Sequence, residues 1–331
     1  MVYHGIPTLE HFSGVQNHNG YNIPRREFER HLSYLKKHCH VISLSDMLAG
    51  QNWSEDRINV VLTFDDGYEN HYSNVYQLLL DYEVPATFAL PTGFVCAREP
   101  LWNDIIEYAV TESPESKVRI RWGGDDLEWQ ISGLSGRVYL YNWLIHQCVN
   151  INQTNRSDFL DSAVEALGIS KDLVGVMFKN ENYRPLTQEQ IREMVKSGLA
   201  EFSSHSVNHY LLDKLEPSLR ETEFYKSKND IEAITDLPCR SLTLPGGGYD
   251  SQVLEEAFQA GYEYVLTSDR GLTARGDRIL KRSNLLTDSG IYRLADAVYG
   301  PVSEMIDLVR RRRRARKSGS NMRFRIEEES S

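Results

Sequence analysis

Short apolar runs alternate with amphipathic helical stretches along most of the chain. Phe28, Leu32 and Leu35 recur at i, i+4 and i+7, which is the spacing of one buried helix face. Thr187 and Gln190 form a capping-box pattern at the start of another helix. The predicted strands are residues 41–44, 58–64, 86–90, 199–203, 241–244 and 262–267. Because strands that alternate with helices pair in parallel, the pattern predicts an α/β protein with a mainly parallel sheet, either open or closed into a barrel.

The alternation is interrupted between about residues 100 and 183. This segment predicts a helix that begins near Leu101, a short polar strand pair at 118–122 and 127–131, and two further helices at 139–149 and 158–167. We interpret it as a mostly helical insertion between two strand–helix units, within one domain of residues 1–300. A helix at 302–309 and an unstructured basic tail are predicted to follow, up to residue 331.

The composition is typical of a globular protein, with 331 residues of which 40% are hydrophobic and 25% charged. The sequence has no apolar run of the roughly 20 residues that span a bilayer. The segment from Met1 to Pro7 lacks the basic and apolar regions of a signal peptide, so we expect a cytoplasmic protein unless another segment precedes it. The four cysteines are far apart and predict reduced thiols.

The 37 basic and 47 acidic residues give a formal charge of −10, which argues against specific binding of nucleic acid. The run from Arg310 to Lys317 departs from this balance, because it holds seven cations in eight residues and leaves −17 for the rest of the chain. Such a run is either a solvated tail or a site for an anionic membrane surface, worth about 1 kcal/mol per basic residue.

Two adjacent carboxylates follow the apolar run at residues 60–64, where Asp65 and Asp66 precede Gly67. Removing two neighbouring anions from water is costly unless a cation or a proton shares the site. At the carboxyl end of a parallel strand, such a pair is a candidate catalytic cluster. Taken alone, the three residues are more typical of a solvated turn.

A second apolar run, residues 199–204, ends at His205 and His209. Imidazoles four residues apart lie on the same face if the backbone makes one helical turn. Two neutral imidazoles and one carboxylate form a metal site that leaves one coordination position open. Together with the two aspartates, a metal explains this histidine pair better than a structural role does.

A third run leads into Pro245, three consecutive glycines and Tyr249. Glycines let backbone N–H groups approach a ligand closely, as an oxyanion site requires. The ordinary alternative is a flexible loop before a helix that Asp250 caps. The G-x-G-x-x-G spacing of a dinucleotide site is absent.

In this order, the three motifs resemble those of the polysaccharide deacetylases, carbohydrate esterase family four. The resemblance covers about residues 1–300 and implies a distorted (β/α)7 barrel that removes acetyl groups from N-acetylated sugars. It implies a divalent metal, expected to be Zn²⁺, on Asp66, His205 and His209, with Asp65 as the general base. It also implies that the oxyanion and the substrate are held at Pro245, Gly246, Gly247 and Tyr249.

Two departures from the family pattern concern the base and the acid. The arginine that often precedes the proline in the family is replaced by Leu244, which leaves Arg240 or Arg282 as a partner for Asp65. The late Leu-x-His motif is absent, so the chain resembles a branch in which a histidine beside the first strand is the general acid. His4 matches that pattern.

The missing late histidine leaves a second interpretation open, a carbohydrate-binding homologue that keeps the fold and the metal but has weak or no turnover. The basic run from Arg310 to Lys317 leaves a third, a peripheral membrane scaffold. We favour an N-deacetylase that docks on an anionic membrane and whose partner is an N-acetylated glycan or sugar precursor.

Overall fold

The computed structural model describes residues 1–170 and 172–300. In chain order its strands are β1 (Val2–Tyr3), β2 (His40–Val41), β3 (Asn59–Val60), β4 (Thr63–Phe64), β5 (Ala86–Leu90), β6 (Lys117–Trp122), β7 (Asp125–Gln130), β8 (Ala200–Ser204), β9 (Ser241–Thr243), β10 (Tyr264–Leu266) and β11 (Ile279–Leu280). Seven of these, β1, β4, β5, β8, β9, β10 and β11, pair side by side in that order. Each neighbouring pair is parallel, as the alternating pattern predicts.

The seven-stranded sheet curls until its two edges meet. The N–H of Val2 donates to the carbonyl of Ser283 at 2.9 Å, and the N–H of Leu285 donates to the carbonyl of Val2 at 3.1 Å. The chain that follows β11 therefore lies against β1. The predicted (β/α)7 barrel is confirmed, and the carboxyl ends of its strands meet at one rim.

In chain order the helices are α1 (Arg25–His38), α2 (Leu44–Ala49), α3 (Gln77–Tyr82), α4 (Trp102–Glu112), α5 (Leu134–Asn150), α6 (Arg156–Ala166), α7 (Leu173–Met177), α8 (Gln188–Lys196), α9 (Pro217–Thr235), α10 (Ser251–Gln259) and α11 (Ile291–Tyr299). The predicted face of α1 is buried, and its Phe28 ring contacts Phe64 of β4 at a centroid distance of 5.4 Å. The Thr187 capping box is present at the start of α8, and Asp250 caps α10.

The insertion leaves the sheet after β5 and returns at β8, and these two strands are direct neighbours in the barrel. It holds α4 to α7 and an antiparallel pair of β6 with β7, so the prediction of a mostly helical insertion is confirmed. Its apolar residues form a cluster of their own, which includes Trp129, Leu144 and Phe159. The insertion is thus part of the connection from β5 to β8, and it packs around an apolar cluster of its own.

Several boundaries differ from the prediction. The strand predicted at 41–44 ends at Val41, because the Ser43 hydroxyl accepts a hydrogen bond from the N–H of Asp46 (3.0 Å) and starts α2. The run at 58–64 is divided, since β3 pairs with β2 while β4 joins the barrel. Strand β11 and helix α11 are not predicted from the sequence.

The helix predicted at 302–309 and the basic run from Arg310 to Lys317 lie outside the described residues. Within the described part, no helix combines the length and the apolar character needed to cross a bilayer.

Candidate active site

Asp65 and Asp66 lie directly after β4, where the chain turns sharply at the rim of the barrel. Asp66 and Gly67 both have left-handed backbone conformations, with φ of 78° and 71°. Aspartate tolerates this region better than most residues, and glycine adopts it freely. The turn directs the two neighbouring carboxylates to different partners within one cavity.

Asp66 meets both histidines of the second motif. Its Oδ1 lies 3.6 Å from Nε2 of His205 and 3.4 Å from Nε2 of His209. One ligand atom from each of the three residues lies within 4.8 Å of the others. The structure therefore brings together the three residues that the sequence proposed as metal ligands, and we call them the ligand cluster.

The two histidines converge by a different route from the helical turn considered above. The backbone between them is an irregular loop with left-handed residues at Ser206 (φ 61°) and His209 (φ 51°). The buried carboxylate of Glu223, in α9, accepts hydrogen bonds from the N–H groups of Val207 (2.7 Å) and Asn208 (2.9 Å). This carboxylate fixes the loop, and the sequence pattern gave no sign of it.

The charges of the ligand cluster favour a bound cation. Nδ1 of His205 donates to the carbonyl of Thr243 at 2.8 Å, which directs Nε2 toward Asp66. Burial lowers the pKa of His209 to about 3, so this imidazole is neutral, as a metal ligand must be. Burial raises the pKa of Asp66, but its hydrogen bond with His205 outweighs this effect and keeps the carboxyl ionised. Burial lowers the pKa of His205, but the same bond and the charges of the two aspartates outweigh it and hold this pKa above 6.5, so a cation that binds at Nε2 displaces a proton there.

Asp65 pairs with Arg282, in the chain segment after β11. Nη1 and Nη2 of Arg282 donate to Oδ1 and Oδ2 of Asp65 at 2.7 and 2.8 Å. Burial raises the pKa of Asp65, yet the Arg282 charge and hydrogen bonds hold it below its usual value. Arg240 pairs instead with exposed Glu263. Of the two arginines that the sequence left open, Arg282 is thus the one that reaches Asp65.

His4 follows β1 and lines the same cavity as the ligand cluster. Its ring lies 4.5 Å from that of Tyr21, and its buried Nδ1 has no hydrogen-bond partner within the described ranges. Burial lowers the pKa of His4 below the usual 6.5, although the charges of Asp66 and Asp65 oppose this. In this state the ring is neutral near pH 7.

The glycine-rich loop contributes only part of what the resemblance implied. Gly246, with φ of 64°, lines the cavity, while Pro245 is buried. Gly247, with φ of 77°, packs against Ser268, where an added Cβ would lie 2.6 Å from the serine Cβ. Tyr249 donates to Asp269 at 2.5 Å and is not among the residues that line the cavity. The structure therefore brings Gly246 to the site but not the Tyr249 side chain.

The cavity has a volume of about 500 Å³ and is lined by barrel and insertion residues together. Trp102, Asp104 and Glu107, all in α4, form part of its wall. Nε1 of Trp102 donates to the carbonyl of His209 at 3.1 Å, which ties the insertion to the ligand cluster. No role for these residues is predicted from the sequence. Asp104 and Glu107 are three residues apart and therefore share a helix face, which was a possible signal of a site. Acids at this spacing are, however, usually exposed to solvent.

Comparison with known proteins agrees with this arrangement. The sequence profile of the polysaccharide deacetylases matches residues 54–111 and 160–265, and the gap between the matched segments falls inside the insertion. YxkH of Bacillus subtilis, classed as a polysaccharide deacetylase, is 19% identical over 273 residues, which are 82% of this chain and 67% of that protein. The poly-β-1,6-N-acetyl-D-glucosamine N-deacetylase of Staphylococcus aureus is 30% identical over 86 residues, which are 25% of this chain and 30% of that one.

Two solved structures share the fold at low sequence identity. The deacetylase PplD of Streptococcus pyogenes, in complex with acetate, superposes with a TM-score of 0.57 at 18% identity, over 90% of this chain and 96% of that one. IcaB of Ammonifex degensii superposes with a TM-score of 0.55 at 19% identity, over 89% of this chain and 94% of that one.

Proposed function

The chain belongs to the polysaccharide deacetylase family, and with it to the hydrolases of carbon–nitrogen bonds other than peptide bonds; from this premise we propose a specific activity. The protein removes N-acetyl groups from an amino sugar of a polysaccharide or of its precursor, with a divalent metal held by Asp66, His205 and His209. We propose Zn²⁺ as the ion, because two imidazoles and one carboxylate are a common ligand set of catalytic zinc.

One observation carries this proposal. The ligand cluster and the Arg282-bound carboxylate of Asp65 line one cavity, and Asp65 directly precedes the ligand Asp66 in the chain. Hydrolysis of an acetamide needs a strong nucleophile, stabilisation of an oxyanion and protonation of the departing amine. A bound divalent cation supplies a Lewis acid and lowers the pKa of water.

The residues of this chain account for the remaining steps. Asp65 takes a proton from the attacking water, and Arg282 keeps it ionised and correctly oriented for that role. The backbone at Gly246 is open to the cavity and donates to the oxyanion. His4, once protonated, donates a proton to the amine nitrogen as the carbon–nitrogen bond breaks. Hydrolysis then yields acetate and a free amino sugar.

A binding protein without turnover is the competing function. What supports turnover is that Arg282 reaches the base and His4 lies at the cavity, since neither is needed merely to hold a sugar. Activated acetate esters are a useful second substrate, because their leaving groups need no acid.

The test is acetate release from a panel of N-acetylated glycans. We expect release that stops when the metal is removed by a chelator and returns on addition of Zn²⁺. An Asp65→Asn variant that still binds the metal is the control for acetate released by contaminants. No acetate release from any N-acetylated glycan by metal-loaded protein would contradict the proposal.

A further inference from the structure

The cavity has a second polar wall that the proposed hydrolysis does not use. Asp104 and Glu107 lie three residues apart in α4, so they share one face of the helix, and both line the cavity. Tyr68 Oη lies 3.1 Å from both carboxyl oxygens of Asp104, and Tyr183 Oη donates to Glu107 at 3.1 Å. We call these two carboxyl groups the acid pair.

Within the described residues, no cation of the protein pairs with the acid pair. Lys214 also lines the cavity, but its nearest carboxylate is Asp213, at 3.8 Å. Burial and the charges of Glu107 and Asp66 raise the pKa of Asp104 well above its usual value. Burial raises the pKa of Glu107 to about 7. Ionising both groups costs free energy, because each charge is buried and the two charges repel one another. A cation delivered by a ligand would offset this cost.

The same wall offers two further acceptors. The side chain of Asn182 is 3% exposed and lines the cavity, and its Oδ1 receives no hydrogen bond from any part of the chain that the structure describes. Oδ1 of Asn103 is also buried and receives no hydrogen bond from the described residues, while Nδ2 of the same side chain donates to Asp104 at 3.0 Å. Asn103 Nδ2 and the hydroxyls of Tyr68 and Tyr183 already donate to the acid pair, so two unmatched acceptors remain beside it among the described residues.

An ammonium group has the matching chemistry, since it carries three donors, no acceptor and one positive charge. A sugar hydroxyl both donates and accepts, and it brings no charge with which two buried acids could pair. The reaction proposed above creates such a cation, because an amino sugar without its acetyl group is protonated at neutral pH.

We propose that the acid pair, with Asn103 and Asn182, is a subsite for the protonated amine of an amino sugar that has already lost its acetyl group. This rests on the proposed function, from which it takes the sugar. The enzyme then holds a partly deacetylated glycan more firmly than a fully acetylated one, and a unit next to a free amine becomes the preferred substrate.

The test is calorimetric binding of two probes, a β-linked glucosamine tetramer and its N-acetylated counterpart, to metal-loaded protein. An Asp65→Asn background prevents turnover during the titration. We expect the amino tetramer to bind about tenfold more tightly than the acetylated one, as charge-assisted hydrogen bonds in a buried site imply. Asp104→Asn or Glu107→Gln should each abolish this preference, while Glu112→Gln, at an exposed position of the same helix, should leave it intact.

Asparagine and glutamine have nearly the same shape as protonated aspartic and glutamic acid, so both variants should fold. If one variant nevertheless fails to fold, the other still tests the inference. Equal binding of the two tetramers, or no binding of the amino tetramer, overturns the inference whatever the acetate assay gives. A preference that survives both substitutions overturns it as well, because the amine then binds elsewhere. If acetate is released but the amino tetramer does not bind more tightly, the proposed function is retained and only the subsite is rejected.

Discussion

Arg282 and Asp65 are 217 residues apart in the chain, yet their side chains form two parallel hydrogen bonds of 2.7 and 2.8 Å in the interior. Each side chain is only 4% exposed. Two further donors of Arg282 are also engaged, because Nε donates to the carbonyl of Thr267 and Nη1 donates to the hydroxyl of Thr63. The guanidinium therefore fixes both the direction and the charge of the proposed base.

Arg282→Lys should lower kcat by about 10²-fold, because a lysine keeps the charge but cannot form the two parallel bonds that align Asp65. Its metal content should stay unchanged. Weakened pairing also raises the pKa of Asp65, and since a base acts only when ionised, the low-pH limb of the rate profile should move to higher pH. Steady-state kinetics across pH provide the measurement. Arg240→Lys, which alters an exposed ion pair, is the matched control; equal effects of the two variants would contradict this role.

Asp65→Asn and Asp66→Asn should differ although the residues are adjacent. The first should keep the metal and lose turnover, because an amide cannot take a proton near neutral pH. The second should lose metal affinity first, because it removes the carboxylate that faces both histidines. His209→Ala should behave like Asp66→Asn. Metal analysis beside acetate release checks this division, and equal metal loss in both asparagine variants would show it to be wrong.

His4→Ala should lower kcat on an acetamide by about 10²–10⁴-fold without loss of metal. The pKa of His4 lies below 6.5, so the protonated fraction falls as pH rises above that lowered value, and activity should fall with it. This fall should vanish in the variant. An activated acetate ester serves as the comparison substrate, because its leaving group departs without an acid. Wild-type rates on the acetamide would assign the proton transfer to another group.

Trp102→Phe should weaken metal binding by about tenfold, since it removes the indole N–H that holds the carbonyl of His209 while keeping an aromatic ring. Competition with a chelator of known affinity measures the change. Trp143→Phe, in the apolar cluster of the insertion, is the control for a general loss of packing. If Trp143→Phe lowers metal affinity as much as Trp102→Phe does, the hydrogen bond has no specific role.

Glu107→Gln should make the protein more stable at pH 8 and flatten its dependence on pH. The folded protein keeps the Glu107 proton up to about pH 7, whereas the unfolded chain releases it near 4.5. The folded state therefore binds more protons in this interval, and the free energy of unfolding falls as pH rises through it. The expected gain at pH 8 is about 2–3 kcal/mol. Thermal unfolding between pH 4 and pH 8 measures it, with Glu112→Gln as the control. If the free energy of unfolding falls equally with pH in the wild type and in Glu107→Gln, the raised pKa of Glu107 is not the cause.

The sequence by itself determined the features that depend on neighbours along the chain. The helix face of Phe28 and the capping box at Thr187 follow local periodicity, and both are present. Asp66, His205 and His209 could be grouped because each follows a predicted strand, and parallel strands end at one rim. The short strand β11 escaped prediction, because two residues carry no periodicity.

Only the tertiary structure decided which distant side chains complete the site. Arg240 and Arg282 are equivalent in sequence, and barrel closure beside β1 brings only the second to Asp65. The contacts of Glu223 with the histidine loop and of Trp102 with His209 likewise join separate elements. Such contacts depend on how whole elements pack, and the pattern of residues within one element contains no information about its neighbours in space.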